Sequence, residues 1–342
     1  MSSDLQLTQN LLTWYRSKGR TLPWRGVNDP YLVWISEILL QQTRVEQGKG
    51  YYERFVERFP SVQELSDASI DEVLYYWKGL GYYSRALNLH RAAKIIVSKY
   101  KGVFPNNYKD ILSLPGVGPY TASAISSLCF QEPRAAIDGN LYRVLSRVFT
   151  DTMDIGSNGS FRHFSNLAER IMPINEPGEF NQALMDLGAT ICKPKNPSCS
   201  ICPIALQCNA FATGTQLSFP VKMKKVKVSD QTLIYYFLYN KQGFLSKKRG
   251  DESIWKFLYE FLPELPKEYS GKLKYETKIK HKLSHRNLTV KIYSGALDSQ
   301  KDLSVFGADH EFNFLTFEES KSKSFPRPLD VFLENWIQGF QN

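Results

Sequence analysis

The sequence predicts two domains of different class: an all-α domain over residues 1–212 and, beyond a basic linker at 213–229, an α+β domain over 230–342. Three observations predict it. Apolar residues recur at helical spacing from residue 4 to about 211, with helix-start signals between the runs. After "SFPVKMKKVKVSD" the pattern switches to the alternation of strands, beginning at "TLIYYFLY". Four of the five cysteines fall inside "CKPKNPSCSICPIALQC", where the helical stretch ends. Composition agrees: 342 residues suffice for two cores, and 42% apolar against 23% charged residues is the balance of a folded protein. The polar N-terminus lacks the apolar run of a signal peptide, and no segment is long and uncharged enough to span a bilayer. An intracellular, cytoplasmic protein is expected.

Taken in order, the first informative helix is "YLVWISEILLQQT". Apolar residues surround Glu37 on nearly every helical face, so this helix is expected to be buried. A carboxyl there loses hydration when charged, which raises its pKa and suits a general acid near neutral pH. On this helix alone, a Glu at an exposed edge or in a structural ion pair is the simpler reading. Ser61 to Glu64 and Ser69 to Glu72 each fit the capping box, in which a hydroxyl and a carboxylate satisfy free N–H groups reciprocally. "LQQT" at 40–43 offers amides and a hydroxyl to bases, and "GLGYYSR" at 79–85 offers an aromatic wedge beside a cation, although aromatics are more often core.

"DILSLPGVGPYTASAISSL" reads as helix, tight turn, helix. Gly116 and Gly118 allow positive φ and close approach of another backbone, and amides at the start of the second helix suit a phosphate. A plain helical hairpin explains the same residues. Asp138 in "AAIDGNLYRVLSRVF" stands where a helix begins, the place an Asp takes as an N-cap. It gains chemical weight only if the fold brings it to Glu37, because two carboxyls in unlike environments divide acid and charge-stabilising roles. Cys192, Cys199, Cys202 and Cys208, with six, two and five residues between them, read as one tetrathiolate metal site, since disulfides are disfavoured inside cells. Structural zinc usually takes two close pairs and only Cys199 and Cys202 form one, so the spacing leans slightly to iron–sulfur.

In the second domain, "TLIYYFLY", "NKQG" and "FLSKK" predict a hairpin, "ETKIKHKL" and "LTVKIYSG" further strands, and "PLDVFLENWIQGF" a final helix. "WKFLYEF" around Trp255 is assigned to the core. Residues 222–291 carry seventeen Lys or Arg against seven Asp or Glu, whereas 292–342 carry four against eight. That local excess suits a polyanion partner, and a solvated basic surface equally.

Together "PWRGVNDPYLVWISEILLQQT", "WKGLGYYSRALNLHRAA", "LPGVGPYTASAI", "DGNLYRVLSRVF" and the cysteine loop resemble the MutY family of adenine DNA glycosylases, in family order over about residues 8–211. The resemblance implies a helix-hairpin-helix glycosylase domain with a [4Fe–4S] cluster on the four cysteines. It implies a monomer, in a bacterial cytoplasm, that removes adenine opposite 8-oxoguanine or guanine from double-stranded DNA. Mapped onto this chain, Glu37 protonates the adenine at N7 and later helps activate water, and Asp138 stabilises the oxocarbenium-like sugar. Asn140 and Tyr120 orient groups around them, and Arg25 lines the adenine pocket. Gly116 and Gly118 hold a backbone phosphate, Gln42 and Tyr82 wedge into the stack as the adenine flips out, and Thr43 and Leu80 face the 8-oxoguanine.

Tyr120 stands where the related endonuclease III enzymes carry their Schiff-base lysine, so a monofunctional glycosylase with little lyase activity is expected. The second domain is similar to the family's Nudix-like recognition domain but lacks the hydrolase box. Its "HKLSHRNL" matches the family's Phe-Ser-His loop as Leu283, Ser284 and His285, the last two reading 8-oxoguanine; Leu283 replaces the loop's ring. Two other readings compete. A bifunctional glycosylase/lyase for oxidised pyrimidines is opposed by Tyr120 and the second domain, and a non-catalytic DNA-binding iron–sulfur protein is opposed by the retention of both carboxyls.

Overall fold

The computed structural model describes residues 3–223, 228–251, 254–266, 269–283, 285–297 and 312–340. The chain divides into two compact units, Met1–Asp67 with Arg91–Lys224, and Ala68–His90 with Lys225–Asn342.

The first unit is helical. Helices Ser3–Lys18, Gly139–Phe149, Ser160–Ile171 and Pro177–Thr190 surround a core that includes Leu11, Leu145, Phe164, Phe180 and Leu187. The Pro30–Leu40 helix starts as its sequence dictates. Asp29 Oδ1 accepts from the Tyr31 amide at 2.8 Å, and Pro30 occupies the first turn, where a missing N–H is harmless. Seven of its eleven residues are buried, as the apolar run predicts.

Helices Tyr108–Leu112 and Pro119–Phe130 form the expected hairpin, closed by the Val117 amide on the Leu114 carbonyl at 3.1 Å. Only one of its glycines is conformationally required. Gly116 is left-handed at φ +77°, whereas Gly118 is extended at φ −94°, a conformation open to any residue. A Cβ on Gly118 would meet nothing within 4 Å, so this face of the turn is open.

A buried asparagine prepares the next element. Asn181 Oδ1 accepts from the Ala136 amide at 3.0 Å, and its Nδ2 donates to the Arg134 carbonyl at 2.8 Å and Ser127 Oγ at 2.9 Å. These bonds fix the run that delivers Asp138 to the start of the Gly139–Phe149 helix. Gly188 then lets two helices meet: a Cβ there would lie 2.5 Å from Asn140 Cβ.

The second unit is built on a mixed sheet of β1 (Ser229–Tyr239), β2 (Gly243–Lys248), β3 (Tyr259–Glu260), β4 (Lys274–Lys282), β5 (Arg286–Ala296) and β6 (Asn313–Thr316). Its order is β3-β2-β1-β5-β4, with β6 paired to β2. The predicted hairpin joins β1 to β2, and Asn240 Oδ1 shapes its turn by accepting the Gln242 and Gly243 amides at 2.8 and 3.1 Å. β1 and β5 run parallel from Ser229 opposite Arg286 to Tyr239 opposite Ala296, a pairing that no local signal announces. Helix Arg327–Phe340 sets Leu329, Phe332 and Leu333 against an aromatic core of Phe237, Phe244, Phe261 and Phe325.

Helix Ile70–Trp77 belongs to the same unit. Ser69 caps it by accepting the Glu72 amide at 3.2 Å, as Ser61 accepts that of Glu64 at 3.4 Å in the first unit; these are the serine halves of the two predicted boxes. Asp71 on this helix receives Lys248 Nζ at 2.5 Å and the Tyr259 hydroxyl at 3.2 Å, and Lys78 pairs with Asp330 at 2.7 Å. Among the described residues no helix is long and apolar enough to cross a membrane.

Candidate active site

The fold of the first unit brings Glu37, Tyr120, Arg25 and Asp138 within electrostatic reach of one another. Burial pushes the Glu37 carboxyl above its ordinary pKa. The Tyr120 hydroxyl, which donates to it, and the Arg25 guanidinium pull it back, and the Asp138 carboxylate pushes it up. The net direction is upward, so this acid holds its proton closer to neutral pH. Burial and the two carboxylates push the Tyr120 hydroxyl well above its usual value, which keeps it a donor.

Asp138 is an N-cap, as its sequence position implies. Its Oδ1 accepts the Asn140 and Leu141 amides, both at 2.8 Å, and its Oδ2 accepts Asn140 Nδ2 at 2.7 Å. Burial leaves its carboxyl above the ordinary pKa, as at Glu37, but here two amides, Asn140 and Arg143 all pull it down. Three donors to the anion at Asp138 against one hydroxyl at Glu37 make the two carboxyls unlike: the first is equipped to stay charged and the second to carry a proton.

Several further residues hold this site together. Arg143 Nη2 donates to Asn140 Oδ1 and the Gly188 carbonyl, both at 2.8 Å, and its Nε to the Cys192 carbonyl at 2.7 Å. Asp186, whose side chain is 1% exposed, accepts Arg25 Nη2 at 2.9 Å and Arg20 Nη2 at 2.6 Å. Tyr15 Oη also accepts from Arg25 Nη1, and its hydroxyl donates to Gln182 Oε1 at 2.7 Å. Met185 Sδ lies 3.9 Å from the Tyr120 hydroxyl. Asp186 could have been found by the reasoning used for Glu37, as a carboxyl inside the apolar helical run "QALMDLGA". Gln42, just past the Pro30–Leu40 helix, is exposed and left-handed at φ +58°, and Thr43 beside it bonds the Gln41 carbonyl at 3.4 Å.

Residues 35–169 match the family model of the HhH-GPD superfamily base excision DNA repair proteins. An adenine DNA glycosylase of Buchnera aphidicola subsp. Baizongia pistaciae is 38% identical over 302 residues, covering 84% of this chain and 85% of its own. That of Buchnera aphidicola subsp. Acyrthosiphon pisum is 35% identical over 341 residues, covering 96% and 97%. The chain belongs to the adenine DNA glycosylase family. It is accordingly a DNA N-glycosylase of base excision repair with a helical glycosylase domain. Among solved structures, a thermostable thymine-DNA glycosylase matches with a TM-score of 0.58 and 32% identity, over 62% of this chain and 97% of that one.

In this adenine DNA glycosylase Cys192, Cys199, Cys202 and Cys208 line one apolar hollow, walled by Arg147. Arg147 Nη1 lies 3.3 Å from Cys192 Sγ and donates to the Lys193 carbonyl at 2.8 Å, while Nε reaches the Gln216 carbonyl at 2.8 Å. Burial pushes the Cys199, Cys202 and Cys208 thiols up, Cys202 to about 12, so only a positive charge inside the hollow would convert them to thiolates. Among the described residues no three His, Cys, Asp or Glu side chains converge where one ion could sit. The four thiols share the lining of one hollow, and four cysteines are the donor set that an iron–sulfur cluster takes.

The second unit carries the remaining candidates. Tyr82 is 48% exposed and left-handed at φ +48°. Its loop is shaped by Gly81, whose carbonyl accepts Trp77 Nε1 at 3.1 Å and Arg85 Nη2 at 3.2 Å; the Arg85 guanidinium lies 5.6 Å over the Tyr82 ring. Leu80 and Tyr82 line a cavity of about 650 Å³ together with Trp255, His281, Leu283 and His285. Trp255 packs against the aromatic core, as expected, but with only part of its surface, and it also helps to wall the cavity. Ser284 lies outside the described residues. Of the residues expected to meet 8-oxoguanine, Thr43 belongs to the first unit, and Leu80 and His285 to the second.

Proposed function

We propose that this adenine DNA glycosylase hydrolyses the N-glycosidic bond of adenine opposite 8-oxoguanine or guanine and does not itself cut the backbone. The observation that carries this reading is the pair of carboxyls in unlike hydrogen-bond settings, Glu37 buried beside the Tyr120 hydroxyl and Asp138 held by two amides and Asn140, in one site with Arg25. Glu37 gives its proton to adenine N7. The C1′–N9 bond then breaks with its electron pair going to a neutral leaving base. Asp138 offsets the positive charge that develops on the sugar, held in place by two amides and Asn140. Water adds at C1′ and its proton returns to Glu37, leaving free adenine and an abasic deoxyribose. Tyr120 holds Glu37, and Arg25, fixed by Asp186, lines the base pocket.

Strand cleavage through a Schiff base needs an amine nucleophile, and Tyr120 supplies none at the position where related lyases carry lysine. The open turn at Gly116 and Gly118 and the uncapped start of the Pro119–Phe130 helix would take a DNA phosphate. Gln42 and Tyr82, each exposed on left-handed backbone, would fill the stack behind the flipped adenine. Cys192, Cys199, Cys202 and Cys208 would hold a [4Fe–4S] cluster, whose iron would supply the charge that keeps four thiolates together and so fixes the loop. The sheet unit would act as a Nudix-like recognition domain for the base opposite the adenine, with His285 in its cavity wall.

The test is single-turnover cleavage of duplexes with A opposite 8-oxoguanine, G or T, and with T opposite G, each with and without alkali. Adenine release from the first two, with strand breaks only after alkali, is the expected result. Release of thymine from the T·G duplex would move the chain toward the activity named for its structural neighbour, which covers 62% of this chain. Breaks without alkali would overturn the monofunctional assignment.

A further inference from the structure

The cavity of the second unit has an indole in its wall as well as the β4–β5 loop residues Leu283 and His285. Leu283 is aliphatic, yet the cavity it lines is walled by Trp255, with the His281 ring 6.1 Å from the indole and Tyr82 also in the wall. We infer that Trp255 is the stacking surface for the purine opposite the adenine; this rests on the proposed reading of that base as guanine or 8-oxoguanine.

The backbone supports it. Trp255 and Phe257 are left-handed at φ +61° and +60°, a conformation bulky residues keep only where their surroundings hold it. Arg249 holds it here. Its amide donates to the Leu258 carbonyl at 2.9 Å and its Nε to the Ile254 carbonyl at 3.1 Å, closing the turn from both ends. The Arg249 guanidinium is anchored on Glu260, 4% exposed, which also accepts the Tyr235 hydroxyl at 2.9 Å. A strained turn pinned by a buried ion pair presents an indole at a cavity wall, where a residue wanted only for packing would sit in the core.

Charge and size name the occupant. Lys256, Lys282, Arg286 and Arg327 line the cavity and no carboxylate does. Lys256 is paired with Asp251 and Arg327 with Asp330 and Glu334, but among the described residues Lys282 has no carboxylate partner. Rings plus cations select a base with its phosphate, and about 650 Å³ is ample for one nucleotide.

The experiment uses the full chain and duplexes carrying a hydrolysis-resistant 2′-fluoro adenine nucleotide opposite 8-oxoguanine, guanine or an abasic analogue. Trp255→Leu keeps apolar bulk without a face, and Trp255→Phe keeps a face. The expected result is that Trp255→Leu weakens binding of both purine duplexes about tenfold and leaves the abasic one unchanged, whereas Trp255→Phe stays within about threefold on all. Equal losses for Leu and Phe, or a loss shared by the abasic duplex, would assign Trp255 a structural role and overturn the inference. A wild-type chain that binds all three duplexes alike would instead remove the purine-reading function itself.

Discussion

The carboxyl site of the first unit and the cavity of the second solve different problems with different materials. At the first, directed polar contacts set each group: two amides and Asn140 hold Asp138 at 2.7–2.8 Å, Asp186 holds Arg25 at 2.9 Å, and the Tyr120 hydroxyl stands on Glu37. At the second, rings and cations stand at strand ends, a helix start and turns, and Arg249 fixes the Trp255 turn through bonds away from the indole. Proton transfer depends on pKa values that donors and burial set over short distances, whereas stacking and phosphate attraction tolerate small displacements. Substitutions at the first site should therefore abolish turnover and spare binding. Those at the second should shift binding and spare turnover.

The largest effect belongs to Glu37→Gln. Loss of the general acid should lower the single-turnover rate by about 10²–10⁴-fold while binding to the adenine duplex stays within about threefold. In the wild type the rate should fall as pH rises through the elevated Glu37 value, since the protonated form is the competent one. The same elevation has a stability cost. The folded state binds the proton more tightly than the unfolded one, so stability drops as pH rises between the unfolded and folded values, and the deficit is complete above the latter. Glu37→Gln should thus melt higher than wild type at pH 7.5, by about 2–4 °C per kcal/mol relieved, with the gain gone below about pH 4. A gain independent of pH would show that the carboxyl is not destabilised by burial.

The next effect separates two arginines one turn apart on the Gly139–Phe149 helix. Arg143 bonds Asn140 and the Cys192 carbonyl; Arg147 bonds Cys192 Sγ. Arg143→Gln should lower excision about 10–100-fold, the worth of one or two charged hydrogen bonds, with bound iron retained. Arg147→Gln should reduce iron per chain first, read by metal analysis and visible absorbance. If Arg143→Gln loses iron and rate together, the carboxyl site and the cysteine loop are one cooperative element.

How much of this was legible in the sequence follows the same division. Glu37 was visible because its neighbours are apolar, and Asp138 because caps have a positional grammar. Their proximity, and the service of Arg143 and Tyr15 to them, arise from packing between helices distant in sequence and leave no local trace. The hairpin of β1 and β2 was readable from its turn, whereas the parallel pairing of β1 with β5 was not. The sequence lets both Gly116 and Gly118 take positive φ, and only Gly116 uses that freedom. Trp255 was read as core because an aromatic in an apolar run usually is. Its left-handed backbone, which turns it toward the cavity wall, has no signature in a residue that is not glycine or asparagine.

The smallest predicted effect is the sharpest test of the division inside the cavity itself. Lys282 is exposed at the end of β4 beside Trp255, so its charge should add affinity without sequence information. Lys282→Ala should weaken every duplex alike, by about two- to fivefold at low salt, and reduce the slope of log affinity against log salt by about 1. The excision rate at saturating enzyme should not move. A ring and a cation side by side would then have separable duties, one sensing whether a base is present and the other only that a phosphate is. If Lys282→Ala instead narrows the preference for 8-oxoguanine over guanine at constant salt slope, the ammonium meets a base edge. Recognition in this unit would then depend on short directed bonds, as catalysis does in the other.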